Sequence, residues 1–297
     1  MEECLLIHPE NVERAKQELK IQVAIVARPD WFIEENRCRH VIVETLRGTH
    51  LRCYLASYGG INFLIVYGRF DRVRTTSGDI DFTLTQEAIT FLGIRKIVGT
   101  FSVGSIKESG RAGEVYIPND FVGLGGYNQS MNLEHGFRNV DMISPFCEGI
   151  RQNLISAAGK VSFPVRDKGV YACFHGYPRI ETQAELDFYA SQGWDIVGQT
   201  LDPEATLARE SGCHYAALAA TIDDRLIRER FLDNDPDSRE EIDRNIVEGR
   251  RRTFEIFLLS LPELAKYEGC RCNCVEQGAH VNKVSKNFFY RPRFLCE

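Results

Sequence analysis

Asp223 closes the run Tyr215–Ile222 (YAALAATI), a continuous apolar stretch that reads as a buried strand. The carboxyl end of such a strand is where an open α/β sheet meets its ligands. A carboxyl placed there has its pKa raised by burial and can hold a proton to donate. The same position also suits a solvated strand end or a helix cap, because aspartate is a favoured N-cap. Arg69 follows the apolar run Leu64–Tyr67; its planar fork suits an oxyanion, and the position equally suits a solvated strand-end arginine. A third feature is Cys270-Arg271-Cys272-Asn273-Cys274. Structural zinc sites usually use C-x₂₋₄-C with a second pair elsewhere. Here the spacing is tighter, and only His280 and Cys296 lie downstream. These cysteines read first as unligated thiols, with a disulfide within the tail or a metal site as the alternatives.

The elements that would position these groups alternate between strand and helix. Gln22–Ala27 is a short apolar run and a first buried strand. Val41–Thr45, Leu51–Ser57 and Asn62–Tyr67 follow at hairpin spacing, with Gly48 and Gly59-Gly60 as turns. Thr83–Gly93 has helical spacing and a glycine suited to its C-terminal end. Lys96–Val103, Val170–Phe174 and Asp195–Val197 read as strands, and Ser144–Ala158, Ala184–Gln192 and Pro203–Ser211 as helices. Glu240–Leu261 is a long helix, preceded by a loop over Asp233–Ser238. Continuous apolar strands between helices predict an α/β single domain with a central mixed, mostly parallel twisted sheet flanked by helices. Residues 1–267 are assigned to that domain, and 268–297 to a cysteine-containing tail.

The chain has 297 residues, a net charge of −6, 43% hydrophobic and 26% charged residues. Those proportions are ordinary for a globular domain with a full core. The negative balance argues against a nucleic-acid partner. No apolar run approaches the ~20 residues needed to span a bilayer. The N-terminus lacks a basic start followed by a long apolar stretch, so no secretory signal and a cytoplasmic location are expected. Scattered cysteines such as Cys53, Cys147 and Cys213 then read as small buried hydrophobes. The basic, aromatic run Lys283–Phe294 reads as a tail docking on its own or a neighbouring subunit.

The order of motifs from Leu64 to Leu261 resembles the purine nucleoside phosphorylases of the trimeric kind, and within them the methylthioadenosine phosphorylases. The resemblance is carried by Leu64–Arg72, Gly99–Ser105, Asn139–Cys147, His175–Arg179, Val197–Thr200 and Tyr215–Asp223. It implies cleavage of a purine N-glycosidic bond, with inorganic phosphate as co-substrate and no other cofactor. Such a reaction passes through an oxocarbenium-like sugar, protonates the departing base and brings a nucleophile to the opposite face. Asp223 would face the base and imply a 6-aminopurine, since relatives specific for 6-oxopurines carry asparagine there. Ser102, His175, Tyr177, Gly198, Gln199 and Arg225 would line the nucleoside pocket, and Arg69, Ser102 and Thr200 the phosphate pocket. Glu185 matches a family glutamate, or else lies on a solvated helix face.

The chain also departs from the family pattern. Phe70 replaces a histidine, Phe101 a threonine, Gln199 a methionine and Arg225 a second acid near the base. Asn139 replaces a histidine that crosses a subunit interface in trimeric relatives, with His135 nearby. The glycine-rich phosphate loop is absent, and the first strand continues Ala27-Arg28-Pro29-Asp30. Arg28 could supply charge there, although proline removes one N–H donor. Three readings stay open from sequence. One is a phosphorylase of a purine nucleoside, with or without a 5′ modification, assembled as a trimer or hexamer. Another is a hydrolase or biosynthetic glycosyl-transferring relative. The third is a non-catalytic nucleoside-binding relative.

Overall fold

The computed structural model describes residues 4–45, 47–68, 80–107, 110–125, 129–131, 139–175 and 179–268. The first third comprises β1 (Leu5–Ile7), α1 (Val12–Leu19), β2 (Val23–Val26), α2 (Asp30–Glu35), β3 (Arg39–Glu44), β4 (His50–Tyr58), β5 (Ile61–Val66) and α3 (Phe82–Phe91). The middle holds β6 (Lys96–Ser105), β7 (Val115–Tyr116), β8 (Asp120–Leu124), α4 (Glu148–Ala158), β9 (Val165–Arg166) and β10 (Val170–Phe174). The last third holds α5 (Gln183–Ser191), β11 (Ile196–Gly198), α6 (Leu201–Glu210), β12 (His214–Asp223), α7 (Arg225–Leu232) and α8 (Pro236–Lys266).

Twelve strands form one mixed sheet among the described residues. Parallel pairings predominate: β2 with β5 and β6, β6 with β12, and β10 with β8 and β11. The β3–β4–β5 segment is an antiparallel meander, as the hairpin spacing predicts. Both faces of the central strands are buried. Val23 and Ile25 point into one core layer and Ala24 and Val26 into the other, which is why β2 is apolar throughout rather than alternating. One layer packs α1, α3 and α6 against the sheet, and the other packs α4 and α8. In the second layer Phe254 of α8 lies 4.8 Å from the ring of Phe32, tying the long helix to α2.

Several boundaries differ from the sequence expectation. The loop expected over Asp233–Ser238 ends at Asp235, whose side chain caps α8, while Pro236 occupies its first turn. Arg225–Leu232 forms α7, a helix that its high charge hid from an apolar-periodicity reading. The helix expected from Ser144 begins at Glu148. α8 ends at Lys266. The cysteine triplet, His280, Cys296 and the run Lys283–Phe294 lie outside the described residues, as do Arg69, Phe70, His135 and Tyr177.

Candidate active site

The site is built on β6. Along one edge β12 pairs with it from Lys96 to Gly104. The other edge is shared, with β2 beside Ile97–Gly99 and β11 running antiparallel beside Gly104 and Ser105. Between those pairings, over Thr100–Val103, the sheet parts into two banks. A parting where neighbouring strands diverge is the usual ligand crevice of open α/β sheets. One bank is the end of β2 and β5, and the other is the end of β11 and β10.

At the far end of this crevice stands Asp223, the last residue of β12, opposite Gly104 across a register shift. A Cβ on Gly104 would lie 2.9 Å from Asp223 Oδ1 and 3.1 Å from Arg228 Nη1, so the absence of a side chain makes room for that pair. Arg228 of α7 donates to Oδ1 at 2.7 Å and also to the carbonyl of Ser105. The Asp223 side chain keeps 21% exposure. Burial pushes its pKa up to about 6, against the pull of Arg228, with Glu181 and Asp224 adding to the rise. Glu181 is raised as well, first by burial. Two carboxyls with raised proton affinity therefore share the field of one guanidinium.

The capping alternative for Asp223 falls to its neighbour. Asp224 Oδ1 accepts from the N–H of Ile227 at 3.1 Å, and Oδ2 from Ala112 at 3.1 Å. Both its oxygens thus hold the fold, and Asp223 is left for the crevice. Arg225 lies on the exposed face of α7, with its guanidinium 2.8 Å from Glu229.

The β10–β11 bank supplies the remaining predicted groups. His175, just past β10, packs on Gly125, where an added Cβ would meet its ring at 3.3 Å. Burial pulls its pKa below the ordinary histidine value, offset in part by Asp202. Arg179 lies 4.4 Å over the ring of Phe174 and grips Glu185 with two bonds of 2.7 and 2.8 Å. Glu185 also closes a capping box with Thr182 at the start of α5. Its pKa falls to about 2, led by the bond from Arg179. Glu185 is therefore a structural anchor for the turn. Gln199 donates to the carbonyl of Arg179 at 3.2 Å, linking the β10 and β11 turns. Gly198 admits the ring of Tyr171 directly against the backbone. Thr200 stands at the N-cap of α6, but its hydroxyl makes no capping bond.

Two strand residues divide between faces. Phe101 is buried against Tyr171 at 5.7 Å. Ser102, on the opposite face by alternation, is exposed and pairs with Ala220. Beside it on that face, α8 meets Ala220 through Gly249. On the β2–β5 bank, Arg28 Nε bonds Asp30 at 2.9 Å, and Tyr67 donates its hydroxyl to the same carboxylate.

A model of the family described as the phosphorylase superfamily matches residues 51–261. This chain belongs to the phosphorylase superfamily. Among curated members, the S-methyl-5'-thioadenosine phosphorylase of Hyperthermus butylicus is 30% identical over 222 residues, 72% of this chain and 76% of that one. The probable S-methyl-5'-thioinosine phosphorylase of Methanothermobacter thermautotrophicus is 30% identical over 212 residues, 71% of each. Solved structures share the fold. A methylthioadenosine phosphorylase from an antarctic soil metagenomic library superposes with a TM-score of 0.74 at 21% identity, covering 86% of this chain and 90% of that one. The Schistosoma mansoni methylthioadenosine phosphorylase in complex with tubercidin gives 0.72 at 21%, covering 89% and 98%. Within this superfamily member, sequence reasoning missed Glu181 and Arg228. Arg228 sits on a helix that the apolar pattern did not reveal. Glu181 precedes a recognisable Thr182–Glu185 capping signature, the one signal that could have drawn attention to that turn.

Proposed function

We propose that the protein cleaves the N-glycosidic bond of a purine nucleoside, with phosphate as the nucleophile. The observation that carries this reading is the carboxyl of Asp223, partly buried at the end of β12 with its pKa raised to about 6 and set beside Gly104 and Arg228. In the reaction a phosphate oxygen bonds to C1′ as the C1′–N9 bond breaks. The bonding pair leaves with the base, and Asp223 delivers its proton to N7. His175, whose ring packs on Gly125, shapes the sugar pocket.

The base is a 6-aminopurine on this reading. A protonated carboxyl offers an O–H donor and a carbonyl acceptor side by side. Adenine's edge offers the reverse, an N7 acceptor beside an N6 donor, whereas 6-oxopurines present two acceptors. Relatives whose names carry thioadenosine and thioinosine both match this chain, so the base preference rests on Asp223 alone. A 5′-modified ribose such as that of methylthioadenosine is the favoured substrate. The assembly is a homotrimer, or a hexamer built from two, and sedimentation of the purified chain tests it. The phosphate pocket is assigned to Ser102, Thr200 and Arg69.

The deciding experiment measures base release from adenosine and methylthioadenosine with and without phosphate. Equal rates in both conditions would remove phosphate from the mechanism and restore the hydrolytic alternative. Binding of nucleoside with no turnover under either condition would leave only a binding role.

A further inference from the structure

A second basic group faces the β2–β5 bank from a different element. Arg250 is a half-buried residue of α8, one residue after the buried Gly249 and one turn before the buried Phe254. Gly249 seats the helix on Ala220, the register partner of Ser102, and Phe254 seats it on Phe32 of α2. Next along the helix, Arg251 lies 5.3 Å over the ring of Trp31. These three contacts fix α8 across the end of β2, where Arg250 comes into the field of Arg28, Asp30 and Tyr67. Asp30 is already occupied, one oxygen by Arg28 and the other by the Tyr67 hydroxyl. Among the described residues no carboxylate lies within ion-pair distance of the half-buried Arg250 guanidinium. The cluster therefore holds two guanidinium groups against one carboxylate. Burial and the neighbouring Arg28 both weaken Arg250's hold on its proton, against the pull of Asp30 and Tyr67. The chain is also without the glycine-rich turn that would offer backbone donors here, and Pro29 removes one of those remaining.

We infer that Arg28 and Arg250 form a seat for a phosphate-type oxyanion, with the Asp30–Tyr67 pair holding Arg28 in place. The inference deepens the phosphorolytic reading and rests on it for the kinetic part of its test. The fork of a guanidinium suits such an anion in two-point fashion, and two forks replace the missing backbone amides. The anion comes either from the co-substrate itself or from a charged group carried at the 5′ end of the nucleoside.

Calorimetric titration of the full-length protein with inorganic phosphate, and separately with adenosine 5′-phosphate, tests the seat without any turnover. Arg250→Ala should weaken at least one of them by about tenfold or more, and Arg250→Lys should recover part of the loss. Arg250→Met, which keeps the apolar stem, gives the same reading if the alanine variant folds poorly. Initial rates then separate the sources. A raised phosphate KM at unchanged nucleoside KM assigns the seat to the co-substrate. A drop in kcat/KM for adenosine 5′-phosphate relative to adenosine assigns it to the 5′ group. Unchanged affinity for both anions in the variants, or no binding of either to the wild type, overturns the seat. Phosphate-independent base release by the wild type would instead overturn the phosphorolytic reading and leave the calorimetric comparison standing.

Discussion

At the scale of single residues, the proposed chemistry depends on a proton kept where water would normally remove it. Asp223 has its pKa raised to about 6, so the proton is present below that pH and lost as pH rises through it. A donor role therefore gives kcat/KM a limb that falls with rising pH near 6, measured on the free enzyme. Asp223→Asn should erase the limb and cut kcat/KM by about 10²-fold or more. It should also move base preference toward 6-oxopurines, because an amide can donate to two acceptors. An unchanged preference in competition assays between adenosine and inosine would remove Asp223 from base recognition. Arg228 lowers the same pKa, so Arg228→Met should move the limb upward by roughly a pH unit. The position of Asp223 was legible in sequence because an apolar run ended there. Its partner was not, because a salt bridge to a charged helix leaves no periodic trace.

At the scale of elements, the crevice is kept open by what is missing from the strands that border it. Gly104 leaves the space that Asp223 and Arg228 fill. Gly104→Ala should displace that pair and lower kcat/KM, while the melting temperature moves little because both partners can shift toward solvent. Gly99 behaves differently. A Cβ there would come within 2.6 Å of Glu204 Oε1, which accepts from the buried Tyr215 hydroxyl at 2.8 Å. Gly99→Ala should therefore destabilise the fold by about 1–3 kcal/mol, read as a lower urea midpoint. Asp224→Ala removes the α7 cap and the Ala112 tether together, costing about 1–2 kcal/mol in the same assay. Strands β2, β6, β10 and β12 were readable because each carries a mostly apolar run, as burial on both faces requires along most of their length. β1, β7, β8 and β9 were not, being two to five residues long or half exposed.

At the scale of the whole molecule, alternation of strands and helices was enough to infer a mixed, mostly parallel sheet before any coordinates. The parting of that sheet was not legible, because register depends on pairings between segments far apart in the chain. Phe101, a departure from the family pattern, and Ser102, assigned to the pocket, prove to lie on opposite faces of β6, one buried against Tyr171 and the other exposed beside Ala220. The parting carries a mechanical consequence. β6 runs unbroken for ten residues past both banks. Its positions 99 and 104, where the flanking strands attach, are separated by roughly 16 Å of extended chain. That spacing is set by covalent geometry, so on the proposed reading the two halves of a bound reactant are held apart by a rigid spacer. Occupying either half should stiffen the whole spacer, slowing amide hydrogen exchange across residues 97–105 as a single block.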